Sequence, residues 1–135
     1  MPVSSVFHQV LYVSHLAAAC EYNVFTSICP VARRRNAQLS ITGVMLFDGH
    51  RFCQLLQGPE LAVQALMTDI RRDRRHERLL TVLDGAMGEP VGHGAWSAGY
   101  CDMHELDVFD EPDSPRGDAA LAAFRAILPR ADLSP

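Results

Sequence analysis

Residues 40–58, SITGVMLFDGHRFCQLLQG, constrain the fold more than any other stretch of the chain. Two apolar runs flank Asp48-Gly49, and Asp-Gly between such runs is a short-range hairpin signal, because both residues tolerate the positive φ of a tight turn. Strands are expected over 40–47 and 51–57. Gln54 stands in the second of them, between Phe52 and Leu55. A buried amide brings two N–H donors and an acceptor, and leaving them unmet costs about 1–3 kcal/mol. Two outcomes are open: Gln54 bonds a neighbour's backbone, or a ligand lies against this strand.

The other segments alternate around this hairpin. Residues 7–14, rich in Val, Leu and Tyr, read as a first strand. Residues 17–35 are helical in composition, with Asn23 as N-cap and Pro30 as a kink or a restart. Gly58-Pro59-Glu60 opens a second helix with Pro59 in its first turn, and Val63, Leu66, Met67 and Ile70 recur at the spacing of one buried face. Residues 78–83 read as a fourth strand, the glycine-rich 85–94 as a loop and 95–101 as a fifth strand. Residues 118–128 read as a third helix, with Leu121, Phe124 and Leu128 on one side. The expected organisation is a domain over 1–101, an acidic linker over 102–117, and a C-terminal helix and tail over 118–135.

The fold class that follows is α+β: a ferredoxin-like βαββαββ sandwich with two helices on one sheet face and a C-terminal tail helix. The other sheet face needs a cover, and the tail helix or a partner chain is the expected one.

A length of 135 residues suits one domain, and a formal net charge of −4 gives no reason to expect nucleic-acid binding. No apolar run reaches the length of a membrane span. Arg33-Arg34-Arg35, Arg71-Arg72 and Arg74-Arg75 read either as cations at helix ends or as attraction for an anionic group such as a cofactor phosphate. Cys20, Cys29, Cys53 and Cys101 lack metal-finger spacing, so no metal is expected, and their setting suits a reducing compartment. The first twenty residues have no cation ahead of their apolar run, which His15 interrupts. They read as mature protein, and as cytoplasmic.

Five motifs in order carry a family resemblance. They are Leu11-Tyr12-Val13-Ser14; Arg35-Asn36 with Ile41-Thr42-Gly43; Phe52-Cys53-Gln54-Leu55-Leu56-Gln57-Gly58; Asp73-Arg74-Arg75-His76; and Trp96-Ser97-Ala98-Gly99. Over residues 6–101 the chain resembles the BLUF domains, sensors of blue light that use a flavin. The resemblance implies a flavin between the two helices: FAD, with FMN or riboflavin as alternatives. It implies that Tyr12 is the electron donor to the excited flavin and that Gln54 sits between the tyrosine hydroxyl and the flavin edge. Asn36 would bond the same edge, and Trp96 would lie near Gln54 on the strand that relays the change. Asp73, Arg75 and His76 would lie near the polar ring edge or the tail. Arg35, where the family usually has Asn or His, would stack on the ring or reach a phosphate. It further implies a photoreceptor without enzymatic turnover, signalling to a protein partner or through a homo-oligomer.

Taken singly, the same residues have plainer readings. Tyr12 suits a strand aromatic with a satisfied hydroxyl, Asn36 a left-handed helix end and Trp96 a core position. Asp73 and Arg75 suit a helix-end ion pair contributing under about 1 kcal/mol. The chain also departs from the family pattern. Ala98 replaces a methionine tied to signal output, and Gln57 replaces a glutamate. The glycine-rich residues 91–95 loosen the approach to the last strand, and Pro30 falls in the wall of the expected flavin slot. These departures keep a second reading open, a ferredoxin-like protein-interaction module that has lost flavin binding or photoactivity. An acylphosphatase-type hydrolase is set aside, because His15-Leu16-Ala17-Ala18 follows the first strand where such an enzyme needs an arginine-bearing phosphate loop.

Overall fold

The computed structural model describes residues 6–134 except Tyr22, His93 and Glu111. Its centre is the expected hairpin, in which β2 (Thr42–Phe47) and β3 (Arg51–Pro59) pair antiparallel. Asp48 holds the turn. Its Oδ1 accepts from the N–H of His50 at 2.8 Å and of Arg51 at 2.6 Å, while Gly49 takes φ +97°. Gly43 answers a different need. A Cβ there would overlap the Leu55 carbonyl, so the close approach of β2 to β3 requires a glycine.

β1 (Phe7–Leu16) lies antiparallel on the other side of β3, placing Tyr12 opposite Gln54 and Gln9 opposite Gln57. β4 (His76–Ala86) flanks β1, β5 (Trp96–Tyr100) runs parallel to β2, and β6 (Asp132–Ser134) pairs with β5. The strand order is β4-β1-β3-β2-β5-β6. β1, β3 and β4 run longer than composition suggests, and β6 has no local signal. Cross-strand pairing, more than intrinsic preference, decides where a strand ends.

Helices α1 (Val24–Gln38) and α2 (Glu60–Arg72) pack on one face. There Phe25, Ala32, Val63, Leu66 and Met67 meet Val10, Tyr12, Met45, Phe47, Phe52, Leu56 and Trp96. Two helix starts differ from expectation. α1 begins at Val24 rather than at residue 17, and Asn23 takes the N-cap place without a side-chain cap bond. Pro59 is the extended residue before α2 rather than part of its first turn. Pro30 lies inside α1, where its missing N–H leaves the carbonyl one turn earlier without a helical donor.

The tail helix covers the opposite face. α3 (Gly117–Ile127) buries Ala120, Phe124 and Ile127 against Leu11, Val13, Val44, Leu46, Cys53 and Leu55. This stripe is rotated from the expected one, leaving Leu121 and Leu128 only partly buried. The stretch read as an acidic linker is built in as well: a 3-10 helix, Met103–Phe109, buries Leu106 and Phe109 in the same layer. Its acidic residues serve Arg51, which donates to Asp107 Oδ1 at 2.7 Å, Asp110 Oδ2 at 2.6 Å, Asp48 Oδ2 at 2.9 Å and the Met103 carbonyl at 2.5 Å. Among the described residues, no helix is long and apolar enough to cross a membrane.

Candidate functional site

A cleft opens between α1 and α2 above the centre of the sheet. α1 contributes Ile28, Ala32 and Arg35, spaced to share one helix face. β1 contributes Tyr12, β2 Met45, and β3 Phe52 and Gln54, which the period of two puts on the same side. Ile70 of α2, Asp73 and Arg75 beyond it, and His76 at the start of β4 form the far wall.

Tyr12 and Gln54 meet on the floor. Gln54 Nε2 donates to Tyr12 Oη at 2.6 Å, and Trp96 Nε1 donates to Gln54 Oε1 at 2.9 Å. The indole nitrogen is only a donor. The amide oxygen must therefore face Trp96, and the amide nitrogen is left facing Tyr12. Because Gln54 Nε2 is the donor of that bond, the Tyr12 hydroxyl keeps its own proton for another acceptor. Burial raises the phenol well above its ordinary range, only partly offset by the Gln54 hydrogen bond. Within the chain, the amide's partners are thus two side chains rather than the backbone group that was one of its two expected outcomes.

The walls carry the charges. Asp73 Oδ2 accepts from Arg75 Nη2 at 2.5 Å, and this hydrogen bond holds the Asp73 carboxyl below the usual carboxylate range. Arg75 is raised by the same contact. His76 Nε2 lies 2.6 Å from the Ile70 carbonyl and therefore bears its proton there, leaving Nδ1 to Ser14 Oγ at 2.7 Å. Arg35 Nε donates to Asn36 Oδ1 at 3.3 Å, and burial lowers the Arg35 pKa. Asn36 is fully buried, and its Nδ2 has no partner among the described residues.

Six residues singled out from the sequence, Tyr12, Arg35, Gln54, Asp73, Arg75 and His76, thus line one cleft. Asn36 and Trp96 lie outside that lining, each hydrogen-bonded to one of its members. The left-handed residue after α1 is Ser40, with φ +58°, rather than Asn36. Two contacts had no individual signal. Ser14 holds the His76 ring, although it stands in the Tyr12 motif. Arg33, read as part of a helix-end cluster, places its guanidinium 5.8 Å from the centre of the Trp96 ring.

The profile of one family, BLUF, "Sensors of blue-light using FAD", matches residues 7–97. The chain belongs to the BLUF family. It is a sensor domain of that blue-light family, whose members bind flavin. Among its relatives is the "Blue light- and temperature-regulated antirepressor BluF" of Escherichia coli (strain K12), 32% identical over 129 residues that cover 88% of this chain and 32% of the relative. Another is "Photoactivated adenylate cyclase subunit beta" of Euglena longa, 34% identical over 69% of this chain and 11% of the relative. The chain therefore spans about a third of the first and a ninth of the second.

Solved BLUF structures share the fold. "BlrB - a BLUF protein, dark state structure" superposes with a TM-score of 0.73 at 24% identity, covering 93% of this chain and 97% of that one. "BlsA photo-activated state" gives a TM-score of 0.71 at 20% identity, covering 96% and 99%. Both support the ferredoxin-like sandwich.

Proposed function

We propose that this BLUF chain binds FAD in the α1–α2 cleft and senses blue light by rearranging hydrogen bonds around Gln54. The observation that carries the reading is the buried sequence Tyr12–Gln54–Trp96 on the cleft floor. The cleft also fits the group: its walls are apolar at Ile28, Ala32, Met45 and Ile70, and the buried Asn36 Nδ2 beside it is an unused donor suited to a carbonyl acceptor. A bound flavin supplies blue-light absorption and an electron-accepting excited state.

The residues supply the rest. Tyr12 is the redox-active phenol, able to release an electron and a proton together. Gln54 is the switch, because turning its amide over, or tautomerising it, exchanges what it offers to its neighbours. After a turn, Oε1 would accept from Tyr12, and Nε2 would face the Trp96 N–H, donor against donor. The indole contact must then break, which conveys the change to β5. Asn36 and Arg35 orient the cofactor. Asp73, Arg75 and His76 hold its polar edge or tail, with Ser14 fixing the His76 ring.

For output we propose contacts with a protein partner or a second copy of this chain, without turnover at these residues, in a cytoplasmic setting. The antirepressor among the relatives supports an output of this kind. The deciding experiment is the absorption spectrum of the purified chain with FAD, before and after blue light. A flavin band that moves to the red and returns in the dark supports the reading. Protein that binds no flavin, or a bound flavin with no spectral response, rejects it and favours an interaction module.

A further inference from the structure

Gln57 sits on β3 three residues beyond Gln54 and is fully buried. It belongs with Leu55 to the face opposite the cleft, because strand side chains alternate. Its amide is fully engaged. Nε2 donates to Gln9 Oε1 at 2.9 Å and to the Glu89 carbonyl at 3.1 Å, and Oε1 accepts from the Val91 N–H at 2.9 Å. The register makes this a counterpart of the cleft floor. Gln9 stands opposite Gln57 on β1 and β3, as Tyr12 stands opposite Gln54.

Both amides also reach toward the same later segment. Gln54 takes the indole of Trp96, the first residue of β5, paired with Gly43 of β2. Gln57 takes Val91, a buried residue shortly before it. Between them lie Gly92 at φ +93° and Gly94 at φ +82°. Gly92 and Gly94 turn the chain through left-handed backbone between two residues that are each held by a buried amide.

We propose that Gln57 is a positioning residue for the Gln54 switch. By holding Glu89 and Val91 it sets how the chain enters β5, and so how Trp96 presents its N–H to Gln54. The inference rests on the sensor reading above. It also gives the departure from glutamate a reason. A carboxylate accepts from Val91 but has no proton for the Glu89 carbonyl, which it would face with a negative charge, and it would need the Gln9 amide to turn over and donate instead. A purely structural Gln57 would affect stability and leave the Trp96 contact as it is.

The chain has a single tryptophan, so its indole N–H resonance in heteronuclear NMR reports on Trp96 alone. The full chain, Gln57→Glu and Gln57→Met are compared with and without added FAD. The expected result is retained fold and FAD, a displaced or broadened indole resonance in both variants, and dark recovery altered about threefold or more, the scale of one lost hydrogen bond. An indole resonance and recovery rate unchanged in either folded variant overturn the proposal. Should neither variant fold, the unmodified chain decides. Its Val91 amide is expected to exchange with solvent about tenfold more slowly than those of Gly92 and Gly94, and equal exchange overturns the anchor. A chain that takes up no FAD rejects the sensor reading, and its indole resonance still decides this inference.

Discussion

Trp96 Nε1 lies 2.9 Å from Gln54 Oε1, at the opposite end of the amide from Tyr12. Because indole nitrogen cannot accept, this contact selects one of the two amide orientations. Tyr12 thereby sees a donor, and the proton of its own hydroxyl is directed elsewhere. The ground-state arrangement of the candidate switch is thus set from β5, outside the cleft.

Gln54→Leu is expected to keep FAD and lose the red shift. The substitution leaves the buried Trp96 N–H without an acceptor, costing about 1–3 kcal/mol. Absorption difference spectra and chemical denaturation check the two effects separately. A normal red shift in this variant would remove Gln54 from the mechanism.

Tyr12→Phe is expected to bind FAD and lose the normal light reaction, and an unchanged yield would exclude Tyr12 as the redox partner. The same residue makes an alkaline prediction. Its phenol is raised in the folded chain, mainly by burial. The folded state therefore holds its proton after an unfolded tyrosine has released one. That contribution is complete below about pH 10 and declines as pH rises above it toward the folded value. Tyr12→Phe should flatten this alkaline loss in urea titrations, and an identical slope would contradict the assignment.

Asn36→Ala separates binding from folding. Asn36 Nδ2 has no partner among the described residues, so the side-chain hydrogen bond given up within the chain is the 3.3 Å one from Arg35 Nε to Oδ1. FAD binding should weaken by roughly 0.5–1.5 kcal/mol, or about twofold to twelvefold. Equal FAD affinity in calorimetry would show that Asn36 does not meet the cofactor.

Arg51→Met should release the C-terminal layer. Arg51 ties β3 to Asp107, Asp110 and the Met103 carbonyl, with the deeply buried Asp48 beside it. Removing the guanidinium leaves the Asp48 carboxylate with its two backbone N–H donors but without a cation. The cost should fall near the lower end of about 3–5 kcal/mol, because Asp107 and Asp110 are exposed enough for water to screen them. Limited proteolysis should cut residues 103–116 first, and uniform resistance would show that the 3-10 helix is held by apolar contacts alone.

At acid pH the Asp73–Arg75 contact should be lost. The Asp73 pKa is lowered, chiefly by the hydrogen bond from Arg75. Its stabilisation is present above the ordinary carboxylate range near pH 4 and disappears as pH falls through the lower folded value. Arg75 is about half exposed, so the contribution stays under about 1 kcal/mol. Asp73→Asn should lower the melting temperature slightly at neutral pH, and the difference should close on acidification. A constant difference across the range would point to packing instead.

Much of the site is legible one strand or helix at a time. Alternation on β3 puts Phe52 and Gln54 on one side, and helical spacing puts Ala32 and Arg35 on one face of α1. The Asp73–His76 motif lands on the cleft wall because α2 ends at Arg72. Segments whose partners are remote in sequence were not legible. Residues 103–109 look like a solvated acidic linker until Arg51 is found among them, and the three residues of β6 become a strand only beside β5. Ser14 and Arg33 acquire their contacts in the same way, from His76 and Trp96 on other elements.

The amino-acid order alone determined the hairpin, the amphipathic second helix and the family motifs, because turn chemistry and side-chain periodicity are local properties of the chain. Only the tertiary structure decided what Gln54 bonds to. Tyr12 and Trp96 each stand 42 residues away from it, on opposite sides in sequence. An amide in a buried strand accepts whichever donor or acceptor the strand register brings within reach, and register is set by how whole layers pack.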